Sequence, residues 1–185
     1  ESFYFFSRGC PLISEEPKMP VTDTRTDAGF SYPAPAGDFI AQEPPMRFID
    51  EVLSADDQGA RSRTVVRSDT IAVDDEGRFP ALALIEVMAQ TIGIYAGRIE
   101  RLNGRDIGAG LLLGTRRMEF DRPSFLPGDV LLCSVVKSFE SDEGLWQFDC
   151  RVTVFPQGDE SREEPAGRAL LNVFNPPEGY FDHLK

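Results

Sequence analysis

Residues 80–104 read PALALIEVMAQTIGIYAGRIERLNG, and they decide the fold because they are the one stretch with sustained helical periodicity. Pro80 suits the first turn of a helix, where its missing N–H has no partner to lose, and Asn103 with Gly104 suits its end. At about 100° per residue, Ala81, Leu84, Ile85, Met88, Ile92, Tyr95 and Ala96 gather on one face, which is predicted to be core. The opposite arc carries Glu86, Gln90, Gly93 and Gly97, a carboxylate and an amide one turn apart beside a strip almost without side chains. Glycine costs about 1 kcal/mol in a helix interior, so two of them predict a close approach, by a ligand or by a second subunit. The apolar neighbours Ile85 and Val87 argue against a simply exposed Glu86.

Outward from the helix, every other patterned segment reads as strand. Before it come MRFIDEVLSA (46–55) and GARSRTVVRS (59–68), separated by Asp56, Asp57, Gln58 and Gly59, which favour a turn. After it come AGLLLGTRRMEF (109–120), DVLLCSVVKSFE (129–140), LWQFDCRVTVF (145–155) and GRALLNVF (167–174). The third of these is the clearest: Trp146, Phe148, Cys150, Val152 and Val154 alternate with Gln147, Asp149, Arg151 and Thr153. Two strands, one long helix and four strands, with no second helix for a parallel crossover, predict an α+β fold with an antiparallel sheet wrapped around one central helix.

Residues 1–40 show neither period and are rich in Pro, Gly, Ser and Thr, so they read as an irregular N-terminal arm that wraps the domain through Phe3, Tyr4, Phe5 and Phe6. Residues 41–176 form the domain and 177–185 a C-terminal tail. The length of 185 residues suits one domain, and 41% hydrophobic with 27% charged residues is the balance of a soluble globular protein. No run reaches the roughly 20 apolar residues of a membrane span, and ESFYFFSRGC lacks a signal peptide's basic start, so a cytoplasmic protein is expected. A net charge of −12 disfavours nucleic-acid and anionic-membrane partners. Cys10, Cys133 and Cys150 show no CxxC spacing and read as free thiols. Neither a ligand cluster nor a phosphate loop occurs, so no metal or nucleotide cofactor is expected.

The helix start bears on chemistry. Phe79 precedes Pro80, so no Ser, Thr, Asp or Asn is placed next to the first free amides. Left open, those amides suit a thioester carbonyl and its enolate; a loop carboxylate such as Asp74 or Asp75, or water, would fill them instead.

PALALIEVMAQTIG resembles the helix motif of the 3-hydroxyacyl-ACP dehydratases, MEFDRPSFLPGD their second signature, and PPMRFIDEVL the strand that opens their domain. The three occur in the family's order over residues 41–175. LLLGTRRMEF and the terminal LNVFNP look closer still to the dehydratase-like branch of the aryl-polyene pigment clusters. The resemblance implies a hotdog fold, a dimer, and an acyl chain on acyl carrier protein or CoA lying in a tunnel at the interface. There a glutamate of one subunit faces a histidine of the other. It makes Glu86 that glutamate and Gln90 its supporting amide, and it puts Gln42, Pro80, Ala81, Leu82, Gly93 and Gly114 along the substrate.

The histidine has no counterpart here. VDDEGRFP stands where the family has HFPG, and AQEPP, with Gln42, where many members have PHRxP; the sole histidine, His183, lies at the C-terminus. Dehydration needs a base for the proton alpha to the carbonyl and an acid for the leaving hydroxyl. Glu86 then reads as the acid, and Asp74 or Asp75 as the replacement base. Two other classes remain open, an acyl thioesterase using Glu86 and a catalytically silent acyl-ACP-binding partner. Carrier docking is expected on Arg116, Arg117 and Arg122, with Arg98, Arg101 and Arg105 as the alternative group, in a homodimer or a heterodimer with a related subunit.

Overall fold

The computed structural model describes residues 26, 27, 29–108, 110–176 and 180. Phe3, Tyr4, Phe5, Phe6, Cys10 and His183 lie outside the described residues. Two-residue strands β1 (Thr26–Asp27), β2 (Phe30–Ser31) and β3 (Ala34–Pro35) precede the hairpin of β4 (Glu51–Ala55) and β5 (Gly59–Val65). Then come β6 (Phe79–Pro80), a 3-10 turn at Ala81–Ala83, and helix α1 (Leu84–Leu102). β7 (Leu111–Phe120), β8 (Ser124–Phe125), β9 (Val130–Glu140), β10 (Leu145–Phe155) and β11 (Glu164–Phe174) complete the chain. The main sheet is antiparallel, with strand order β3-β4-β5-β9-β10-β11-β7. The helix packs chiefly on β5, β9 and β10 in its middle.

This is a hotdog fold, an antiparallel sheet wrapped on one long helix. Ala81–Leu102 is long and apolar enough to cross a bilayer, but here it forms the centre of the core. Period 2 sets the inner face of the sheet: Trp146, Phe148, Cys150, Val152 and Val154 are all buried. Tyr95 of the helix meets Trp146 and Phe148 edge-on, at centroid distances of 5.6 and 5.4 Å, a geometry that adds about 0.5–1.5 kcal/mol per pair beyond the area buried. Cys133 and Cys150 are buried free thiols; burial pushes the Cys133 thiol up to about 12, and that of Cys150 up as well.

The wheel needs one correction. Ala81, Leu84, Met88, Ile92 and Tyr95 are buried as predicted, but so are Val87, Thr91, Ile94 and Arg98, so the helix is enclosed on most sides. Gly93 and Gly97 do not wait for a ligand or a second subunit. A Cβ on Gly97 would lie 1.8 Å from the Phe39 carbonyl oxygen, and one on Gly93 would lie 3.3 Å from Ile40 Cγ2. The chain's own residues 39–40 fill the strip, and the backbone of Phe39 is why glycine is needed at position 97. Arg101 pins that segment: its guanidinium lies over the rings of Phe30 and Phe39, at 4.9 and 5.1 Å, and donates to the Asp38 carbonyl at 2.9 Å.

Two motifs that are distant in sequence are joined at the helix start. β6 pairs with β8, Phe79 opposite Phe125 and Pro80 opposite Ser124, and the Ala81 N–H donates to the Pro123 carbonyl at 2.9 Å. The second signature therefore holds the first turn of the helix. Its own turn closes on Asp129, buried, which accepts from the Leu126 N–H at 2.9 Å and the Gln157 N–H at 2.9 Å.

Candidate functional site

Leu82, Glu86 and Gln90 stand one turn apart on one helix face, and their depth increases along it: Leu82 is exposed, Glu86 half-buried and Gln90 buried. The Gln90 side chain is fully engaged. Its Nε2 donates to Glu86 Oε1 at 2.8 Å and to the Met46 carbonyl at 2.7 Å, while its Oε1 accepts from the Phe48 N–H at 2.9 Å. Those backbone groups belong to the stretch expected to begin a strand at residue 46; it pairs only from Glu51, because residues 46 and 48 bind Gln90 instead. The amide can neither swing nor flip without leaving a buried polar group unmatched. Glu86 is thus held by one oxygen, and its Oε2 has no partner among the described residues. Leu82, one turn before it, is exposed, and so is Met46, whose carbonyl accepts from the Gln90 amide.

The expected replacement base is engaged elsewhere. Asp74 Oδ1 accepts from the backbone N–H groups of Arg78, at 2.8 Å, and Glu76, at 3.1 Å, and Oδ2 pairs with Arg78 Nε at 3.2 Å. The Arg78 backbone N–H, with the Arg78 guanidinium, holds this carboxyl below the ordinary carboxylate range. Asp74 is therefore the ligand of its own turn, closed by Gly77 at φ +74°. Asp75 is exposed, and neither aspartate bonds to Glu86. Neither caps the helix: Pro80 and Ala83 make no side-chain cap bond, and the Ala81 amide is taken by Pro123.

The remaining expected positions scatter. Pro80 and Ala81 sit at the helix start beside Leu82; Gln42 is exposed in the segment leading to Met46. Gly93 faces Ile40, and Gly114, at φ +129°, lies on edge strand β7, where the register with β11 shifts. Of the six arginines considered for docking, five are engaged within the chain. Arg117 donates to Glu119 at 2.6 Å, Arg122 pairs with Glu164, Arg98 with Asp57 at 3.0 Å and Arg105 with Glu100 at 3.0 Å, while Arg101 holds Phe30 and Phe39. Arg116 is exposed, with no ion pair among the described residues. What sequence reasoning missed is the clamp from Met46 and Phe48 on Gln90, since backbone partners 44 and 42 residues away leave no local signal. Among the described residues, no group of three His, Cys, Asp or Glu side chains gathers to hold a metal.

A half-buried carboxylate fixed by a buried amide thus stands on the sheet-wrapped helix. The chain belongs to the ApeP-like family, described as ApeP dehydratase, whose model matches residues 34–184. Among solved structures it is similar to the dehydratase heterocomplex ApeI:P from Xenorhabdus doucetiae, at 23% identity and TM-score 0.67, covering 82% of this chain and 97% of that one. It is also similar to the conserved protein PA5202 from Pseudomonas aeruginosa, at 15% identity and TM-score 0.52, covering 75% and 96%.

Proposed function

We propose that the chain is a subunit of a 3-hydroxyacyl-thioester dehydratase of fatty-acid or polyketide-type synthesis, acting on a (3R)-hydroxyacyl chain carried by acyl carrier protein or CoA. Its second acid–base group then comes from a related but non-identical hotdog subunit. The observation that carries this reading is Glu86 held by Gln90 with one oxygen unpartnered, and no second titratable side chain bonded to it, among the described residues. A base removes the proton from C2, the C2–C3 double bond forms as the C3–O bond breaks, and an acid protonates the departing hydroxyl. Glu86 supplies the acid; among the described residues no other titratable side chain bonds to it, and the base is assigned to the second subunit. Membership of the ApeP-like family and the heteromeric nature of the similar ApeI:P complex support such a partner.

A carboxylate without imidazole also suits thioester hydrolysis, and the same assay separates the two reactions. The purified chain, alone and co-expressed with a histidine-bearing hotdog subunit, is incubated with 3-hydroxyacyl-ACP and the carrier is weighed. Loss of water only in the mixed sample is expected. Release of free acid would make it a thioesterase, and equal water loss by the chain alone would remove the need for a second subunit. Binding without either product in both samples would leave a silent acyl-binding partner.

A further inference from the structure

The sheet has a second face that takes no part in the Glu86 pocket. Ser62, Cys133, Cys150 and Ala169 point inward, buried, and Ser62 Oγ is hydrogen-bonded to Thr91 Oγ1 of the helix at 2.7 Å. Alternation turns their neighbours Arg61, Ser134, Arg151 and Arg168 outward. The register lines these four up across adjacent strands, Arg61 opposite Ser134, Ser134 opposite Arg151, and Arg151 opposite Arg168. At strand spacings of about 4.8 Å, Arg168 and Arg151 stand about 5 Å apart and Arg61 about 10 Å beyond.

Like charges directly opposite each other in a sheet are unfavourable, yet a chain of net charge −12 sets two arginines so. Their neutralisation is incomplete. Arg151 reaches Asp149 only at 3.8 Å, Arg168 shares Glu119 with Arg117, and Arg61 has no ion pair among the described residues. Beside the row runs a shallow groove lined by Val130, Leu132 and Phe155, with Arg63, Gly158 and Glu160 at its rim.

We propose that this outer face docks an acidic amphipathic helix of a partner protein. With a rise of about 1.5 Å per residue, carboxylates at positions i, i+3 and i+10 fall about 4.5 and 15 Å apart, matching the arginine row, and apolar residues beside them reach the groove. A second copy of this chain is a poor occupant, because it would bring the same cations face to face. The central helix lies on the other side of the sheet, so an occupant here does not deliver substrate to Glu86. The surface stands independently of the dehydratase reading, and its test uses no activity.

The full chain, isotope-labelled, is titrated at low salt with a glutamate-bearing amphipathic helical peptide of about 20 residues, roughly 30 Å long. Chemical-shift changes are expected at Arg61, Ser134, Arg151 and Arg168. Arg61→Glu with Arg151→Glu should weaken binding about ten-fold or more, while Arg61→Lys with Arg151→Lys retains it. If the glutamate pair unfolds the chain, Arg61→Gln with Arg151→Gln serves in its place. Shifts centred on Arg101 and Arg105, unchanged affinity in the charge variants, tighter binding of a short DNA duplex, or self-association through this face would each overturn the proposal.

Discussion

The helix face that runs from Leu82 to Gly97 has two halves with opposite uses. The first half, Leu82, Glu86 and Gln90, opens to solvent over a polar network; the second, Gly93 and Gly97, is closed by Phe39 and Ile40. Both halves look bare on a wheel, for different reasons. A missing side chain makes room for backbone, and the backbone that arrives is the chain's own. A carboxylate set beside an amide is different, since it costs desolvation that only a polar partner or a ligand offsets. The second half therefore builds the fold, and the first half leaves a carboxylate with one oxygen unpartnered among the described residues.

The sharpest way to break that contrast is at Gly97. Gly97→Ala places a Cβ 1.8 Å from the Phe39 carbonyl oxygen, a clash with backbone, and should cost about 3 kcal/mol, read by chemical denaturation. A loss below that of an ordinary surface substitution would mean that residues 39–40 do not seal the strip. Gln90→Leu comes next. It strands the buried Phe48 N–H, while water can reach the part-buried Met46 carbonyl, and should cost about 1–3 kcal/mol. Gly93→Ala should differ sharply from Gly97→Ala, because its neighbour is a side-chain methyl at 3.3 Å that can shift. A gain of up to about 1 kcal/mol in helix propensity offsets the crowding, and a measured change beyond about 1 kcal/mol in either direction would contradict this.

The smallest effect is at Asp74. Its folded-state pKa is depressed, so the turn it closes is fully supported above the unfolded value of about 3.8 and loosens as pH falls through the lower folded value. A carboxyl carbon titration should give a midpoint below 3.8. A midpoint near neutrality would restore Asp74 as a candidate base.

How much of this was legible in the sequence depended on the range of the interaction. The helix and the six long strands followed from periods of 3.6 and 2, which each segment carries within itself. Glu86 and Gln90 could be paired because i and i+4 share a helix face. The occupant of the glycine strip could not be read, since it comes from a segment of Pro and Gly with no period, and its proximity is purely tertiary. The ion pair of Arg122 was hidden for a similar reason: it meets Glu164 across strands, 42 residues away in sequence. Asp74 did carry a local signal, an aspartate three residues before a glycine, which marks a turn and leaves its carboxylate occupied.

The proposed elimination needs the Glu86 carboxyl itself and not merely its shape. Glu86→Gln keeps the shape and an acceptor for Gln90, and changes little else. In the complex with a histidine-bearing subunit, the variant should lose about 10² to 10⁴ in the rate of water elimination from 3-hydroxyacyl-ACP while its unfolding midpoint stays put. An unchanged rate, with the complex intact, would contradict the assignment.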